Sequence, residues 1–163
     1  MAITKIQSES LNLADDFAFT GTITGAGGNN KPAFYAYNSS ATSLSNGAYT
    51  KVNFQTEVLD SDNCFASGTF TPNTAGYYFL DCQVKLAATL NINHSIILLK
   101  NGSQYTNFYD IIININGLRG SCMVYANGTT DYFDVYYYQA SGSSQNTRTG
   151  QDYTFFSGFK IIT

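Results

Sequence analysis

Residues able to do chemistry are few in this sequence and poorly grouped. The single histidine, His94, lies in Asn91-Ile92-Asn93-His94-Ser95 with no second strong metal ligand beside it. The pairs Asp131/Asp134 and Asp60/Asp62 have the look of paired carboxylates, but short acidic side chains beside Asn and Gly form turns more often than acid–base couples. Serines abound, yet no nucleophile-elbow motif accompanies them, so no Ser/His/Asp relay is assigned. Gly25-Ala26-Gly27-Gly28 imitates a phosphate loop without the Lys-Ser/Thr that touches phosphate and magnesium, and it reads as a hinge. Cys64, Cys82 and Cys122 are odd in number and far apart, giving neither a disulfide framework nor a C-x-x-C knuckle. They read as buried small hydrophobes. The expectation is a protein without catalysis, metal or cofactor.

Surface suited to binding is what the sequence offers in place of a reaction centre. Tyr105, Tyr109, Tyr136 and Tyr138 are the candidate exposed binding tyrosines, rigid amphipathic side chains that pack in interfaces or stack on sugars. Charged residues are only 12% of the chain, against about 25% in an average globular protein. A weakly charged, tyrosine-rich surface is suited to burial against partner subunits. The net charge of −3 and the eight scattered Lys and Arg leave no basic patch, which argues against nucleic acid and anionic membranes as partners. Met1 to Gln7 lacks the apolar core of a signal peptide and no stretch has the apolar length of a membrane helix, so the expectation is a soluble protein made in a cytosol.

The elements that must position these residues are strands. Val52, Phe54 and Val58 alternate with polar residues from Lys51 to Leu59, the two-residue period of a strand with one wet face. Tyr78, Leu80, Cys82, Val84 and Leu86 fall on one side of a core strand. Ser95 to Lys100 is apolar on both faces and ends in Asn101-Gly102, the dipeptide best suited to a type I′ hairpin. Cys122 to Ala126 is followed by Asn127-Gly128 and then by Asp131 to Gln139, where Phe133, Val135 and Tyr137 oppose Tyr132, Asp134, Tyr136 and Tyr138. After a polar loop from Ala140 to Gln151, Tyr153 to Ile162 closes the chain. A short turn around Leu11 to Phe17 is the one helical candidate, and an antiparallel two-sheet sandwich is the default architecture.

The first residues behave differently. Ile3, Ile6, Leu11, Leu13, Phe17 and Phe19 are apolar enough to demand burial, yet a Gly- and Thr-rich stretch of linker composition separates them from the strands. The expected division is an anchor arm at 1–28, a linker at 29–31 and a head domain at 32–163. Such an arm folds back on its own head or packs with copies of itself or a larger assembly.

From Pro32 onward the sequence resembles the globular domains of the C1q and tumour necrosis factor superfamily. Pro32-Ala33-Phe34-Tyr35-Ala36 is similar to their first strand, and Val52-Asn53-Phe54 with Val58-Leu59 to the segment before their Phe-rich turn. Phe65 and Gly68-Thr69-Phe70-Thr71-Pro72, then Gly76-Tyr77-Tyr78-Phe79-Leu80, resemble G-x-F-x-x-P leading to G-x-Y-x-F, with Leu80 in place of the usual Phe. Leu98-Leu99-Lys100-Asn101-Gly102 resembles the L-x-K-N-G hairpin, and Phe155-Phe156-Ser157-Gly158-Phe159 the closing F-S-G-F strand. The usual G-D dipeptide is loosened here to Gly128-Thr129-Thr130-Asp131, so the apical calcium of some members is carried over to no residue.

This resemblance implies an all-β, ten-stranded antiparallel jelly roll that assembles as a homotrimer, with no catalysis. Phe34, Tyr78, Phe133, Tyr137, Phe155 and Phe159 are the aromatics expected in its core or trimer interface. The arm is similar to the opening of structural proteins of tailed phages of marine bacteria. Together the two resemblances imply a virion component assembled in the bacterial cytoplasm, a trimeric fibre or knob attached to tail or capsid by the arm. Its head would contact a glycan or protein of the host surface. The alternatives are a capsid decoration without receptor binding and a free carbohydrate-binding module.

Overall fold

A computed structural model describes residues 30–162, and among them it holds eleven strands and no helix. In chain order these are β1 (Ala33–Tyr37), β2 (Ser43–Leu44), β3 (Thr50–Lys51), β4 (Thr56–Asp60), β5 (Phe65–Ala66) and β6 (Thr69–Phe70). There follow β7 (Gly76–Lys100), β8 (Ser103–Ala126), β9 (Phe133–Gln139), β10 (Gln145–Asn146) and β11 (Phe155–Lys160). The helical candidate around Leu11 to Phe17 and the anchor residues Ile3, Ile6, Leu11, Leu13, Phe17 and Phe19 lie outside the described residues.

One long hairpin organises everything else. Asn101 and Gly102, at φ 54° and 76°, both take the positive backbone angles that a type I′ turn requires, and Lys100 pairs with Ser103 across it. From there β7 and β8 pair antiparallel out to Gly76 and Ala126, with register breaks at Lys85/Leu90, Ile96/Ile97 and Leu98/Leu99. The first break separates two roles of β7. Residues 78–83 pair with β11 and residues 94–100 pair with β9, so one strand serves both layers of the sandwich. One layer runs β4-β1-β11-β7-β8; the other is built on the second half of β7, with β9, β6, β5 and β3. The two halves of β8 meet where the layers close: Phe108 covers Gly120 so tightly that any side chain there would collide with its ring. Beside it the Tyr105 hydroxyl donates to the Met123 carbonyl at 3.4 Å.

Alternation along these strands fills the space between the layers. Tyr78, Leu80, Cys82, Val84 and Leu86 are all buried, as their spacing predicts, and so are Phe133, Val135 and Tyr137. The centre is aromatic. Phe34 stacks on Phe70 and Phe65 at centroid distances of 4.3 and 4.8 Å and meets Phe156 edge-on at 4.9 Å. His94 belongs to this core. Its Nε2 lies 3.1 Å from the Leu90 carbonyl, which can only accept, and its Nδ1 lies 2.8 Å from the Tyr137 hydroxyl. With a proton on Nε2 donating to Leu90, both ring nitrogens are engaged inside the core. The cysteines are free thiols, Cys64 and Cys82 buried and Cys122 half-buried, and burial pushes the Cys122 thiol up to about 11.

Three features differ from the sequence expectations. Val58 is exposed rather than sharing the inward face of Val52 and Phe54, because the chain leaves the sheet between β3 and β4 and its two-residue parity restarts. The short strands expected at Ser95 to Lys100 and Cys122 to Ala126 are the ends of 25- and 24-residue strands. Finally, Asn127-Gly128 does not form a two-residue turn. Only Gly128 has positive φ, and the Asn127 Oδ1 instead accepts backbone N–H bonds from Thr129, Thr130 and Asp131, an Asx turn that widens the loop.

The Asp131 carboxylate closes this loop and ties it to the hairpin. It accepts from the Lys100 ammonium at 2.9 Å, the Asn101 amide at 2.8 Å and the Asn127 N–H at 2.9 Å. The Lys100 bond first, and the Asn101 bond second, hold the carboxyl below the usual carboxylate range. A carboxyl lowered on folding contributes stability above its unfolded value and loses it as the pH falls through the folded one. Urea midpoints should therefore drop below about pH 4, and Asp131→Asn should lower the neutral-pH midpoint while flattening that acid limb. A wild-type limb retained in the variant would assign the acid loss to other carboxylates.

Candidate functional site: an aromatic sheet face

The layer β4-β1-β11-β7-β8 turns one face inward and the other to the outside. Because paired residues point to the same side, the register alone lays out the outer face in rows. Ala33, Phe159, Phe79 and Met123 form one row; Tyr35, Ser157, Asp81 and Ser121 the next; Tyr37, Phe155, Gln83 and Arg119 the third. Tyr77 and Tyr125 pair in a further row next to the first, and Leu59 stands beside Tyr35. The aromatic rings touch: Tyr35 to Phe155 at 5.7 Å, Phe79 to Phe159 at 5.7 Å and Tyr77 to Tyr125 at 5.4 Å. Met123 is 66% exposed beside them.

One charged pair interrupts the apolar field. Arg119 grips Asp81 bidentately at 2.6 and 3.1 Å, with its guanidinium 5.4 Å from the centre of the Phe155 ring. Mutual neutralisation of this pair lowers the cost of covering the face. Beside it an open groove of about 610 Å³ runs between Phe79, Asp81, Arg119, Phe108 and Tyr109. A contiguous exposed patch of aromatics is what a monomeric surface avoids and an interface uses.

Residues named from the sequence separate on this geometry. Phe34, Tyr78, Phe133 and Tyr137 are fully buried between the layers, so they hold the head together and touch no partner. Phe155 and Phe159 point the other way, onto the outer face. Tyr105 and Tyr109 are exposed on the first half of β8, whereas Tyr136 and Tyr138 are half-buried on the outside of β9. Sequence reasoning missed Tyr35, Tyr77, Phe79 and Met123 as outward residues. The signal was available: Tyr77 and Phe79 are aromatic at the positions of the G-Y-Y-F-L run where a one-sided strand carries polar residues. Among the described residues no group of three His, Cys, Asp or Glu side chains could hold a metal.

Neither a known protein family nor a curated protein matches the sequence. Solved structures do match the fold. Murine APRIL superposes with a TM-score of 0.58 at 16% identity over 79% of this chain and 98% of its own. The globular domain of zebrafish complement 1qA gives 0.54 at 17% identity over 81% and 98%. The fold is a TNF/C1q-like jelly roll. A third jelly roll is the PRD1 vertex protein P5, with a TM-score of 0.57 at 15% identity over 82% of this chain and 99% of that one. At these identities the likeness is one of architecture. It sets the β4-β1-β11-β7-β8 layer in a jelly roll shared with murine APRIL and the PRD1 vertex protein P5.

Proposed function

We propose that this chain is a phage virion surface protein, a homotrimeric knob whose heads pack through the aromatic face and whose residues 1–28 attach it to the particle. The observation that carries the trimer is the outer face itself: Tyr35, Tyr77, Phe79, Met123, Tyr125, Phe155 and Phe159 on one layer of a jelly roll. A single face repeated by threefold symmetry buries itself and leaves no open-ended contact. The likeness to a phage vertex protein supports the virion setting, and favours the capsid over the tail as the attachment point. The outward layer around β9 and the loops remain available for the host surface, where three weak contacts add through effective concentration.

Particle incorporation tests the division of labour between arm and head. Removing residues 1–28 is expected to leave a folded trimer that no longer joins virions, read by light-scattering mass and by the protein's copy number in purified particles. A truncated chain incorporated at the normal copy number would overturn the anchor. Particles lacking the whole protein should adsorb poorly to host cells; unimpaired adsorption with fragile shells would instead identify a decoration that stabilises the capsid.

A further inference from the structure

The layer opposite the aromatic face carries a second, smaller feature. Tyr138 on β9 lies opposite Ser95 on β7, which lies opposite Asp110 on β8, so the three share the outer face of that layer. Tyr49, next to β3, packs its ring 5.4 Å from that of Tyr138 at an angle of 47°. Its hydroxyl is held 2.9 Å from the Ser95 Oγ, which donates in turn to the Asn107 Oδ1 at 3.3 Å. Between Tyr49, Tyr138, Asn93 and Asp110 is an open cleft of about 260 Å³.

Two observations show what the cleft lacks. The Asn93 Oδ1 is buried and has no hydrogen-bond partner, the one such side-chain atom among the described residues. Native structures rarely leave a buried acceptor unpaired, and such an atom calls for an explanation. Beside it the Asp110 carboxylate is exposed and makes no hydrogen bond or ion pair among the described residues. Both groups accept, and none of the four lining residues is cationic. An anion is thus excluded, and one carboxylate is too few for a divalent cation. The occupant must donate several hydrogen bonds and also present an apolar face to two tilted tyrosine rings. A neutral sugar ring has this combination, with hydroxyls at its rim and C–H bonds on its face. The cleft is below the roughly 300–1,000 Å³ of drug-sized pockets, which restricts it to one or two rings.

We propose that the cleft between Tyr49, Tyr138, Asn93 and Asp110 is a saccharide-binding site, its tyrosines stacking on the ring while the exposed Asp110 carboxylate, and the Asn93 Oδ1 once its side chain turns outward, accept from hydroxyls. This rests on the host-contact reading above and names its ligand class.

The test is saturation-transfer NMR on the full-length protein with a panel of methyl hexopyranosides. At least one glycoside should receive transfer, strongest at the C–H protons of one ring face. Asp110→Ala, at an exposed residue without partners to lose, should weaken that binding about tenfold, the scale of a hydrogen bond to a charged group. Tyr138→Ala should abolish it. Absence of transfer to every glycoside, or transfer unchanged in Asp110→Ala and Tyr138→Ala, would overturn the site. Particles that adsorb to cells through the protein while no glycoside binds would reject the sugar cleft and leave the knob standing, whereas sugar binding by a protein absent from virions would do the reverse.

Discussion

Truncating Phe156 to alanine is expected to cost about 3–5 kcal/mol of unfolding free energy, the range for emptying an aromatic site in a closed core. The residue is fully buried on β11, between β1 and β7, and its ring meets three others: Phe34 at 4.9 Å, Phe54 at 5.8 Å and Phe65 at 6.1 Å. Those neighbours come from β1, β5 and the segment after β3, so the cavity would lie where both layers meet and none of them could collapse into it alone. Against a total of about 5–15 kcal/mol for an ordinary domain, this is enough to leave a fraction of the chain unfolded at 37 °C. Phe155→Ala provides the comparison, since its side chain is one residue away but points to the outer face. Urea unfolding at matched protein concentration should show the Phe156 variant far to the left of the Phe155 variant. Similar midpoints for the two would mean that β11 is not the inner wall of the core.

That pair of neighbours also shows how far the sequence could be read. Type and spacing identified β11, and the resemblance in Phe155-Phe156-Ser157-Gly158-Phe159 identified its place in a jelly roll, but the core-or-interface expectation named Phe155 and Phe159 and passed over Phe156, the one of the three that is fully buried. Parity separates them only once the register is known: Phe156 faces Cys82 from inside, while Phe155 and Phe159 face Gln83 and Phe79 on the outer side. The same limit applied to Val58, whose parity was lost where the chain left the sheet, and to β8. The first half of β8 reads as no strand because it borders the sheet, paired to β7 alone, so its Ile111, Ile112 and Ile113 stay exposed and no clean alternation builds up. Local chemistry was more legible. Asn101-Gly102 specified its turn completely, whereas Asn127-Gly128, the same dipeptide, was captured by its own side chain and by Asp131. The cleft at Tyr49 and Tyr138 was not visible at all, because it joins residues 49, 93, 110 and 138 through three strand pairings that no sequence window contains.

Placing lysine at both Phe159 and Met123 is expected to convert the proposed trimer into monomers without unfolding the head. The two residues stand in one cross-strand row with Phe79 between them, and all three point away from the core. In an isolated head the new ammonium groups would sit in water, so the cost to folding is small and the thermal transition should remain cooperative. In a trimer closed around this face, symmetry would bring six ammonium groups into an apolar contact. Each costs several kcal/mol to desolvate when no partner anion is available. The one carboxylate in the layer's central rows, Asp81, is already held bidentately by Arg119 and has little capacity for a second cation. Light scattering behind size exclusion should report about three chains for the wild-type protein and one for the variant, with the wild-type mass unchanged on dilution. A variant that stayed trimeric would show that the subunits pack through another surface, and the aromatic face would then need a different occupant.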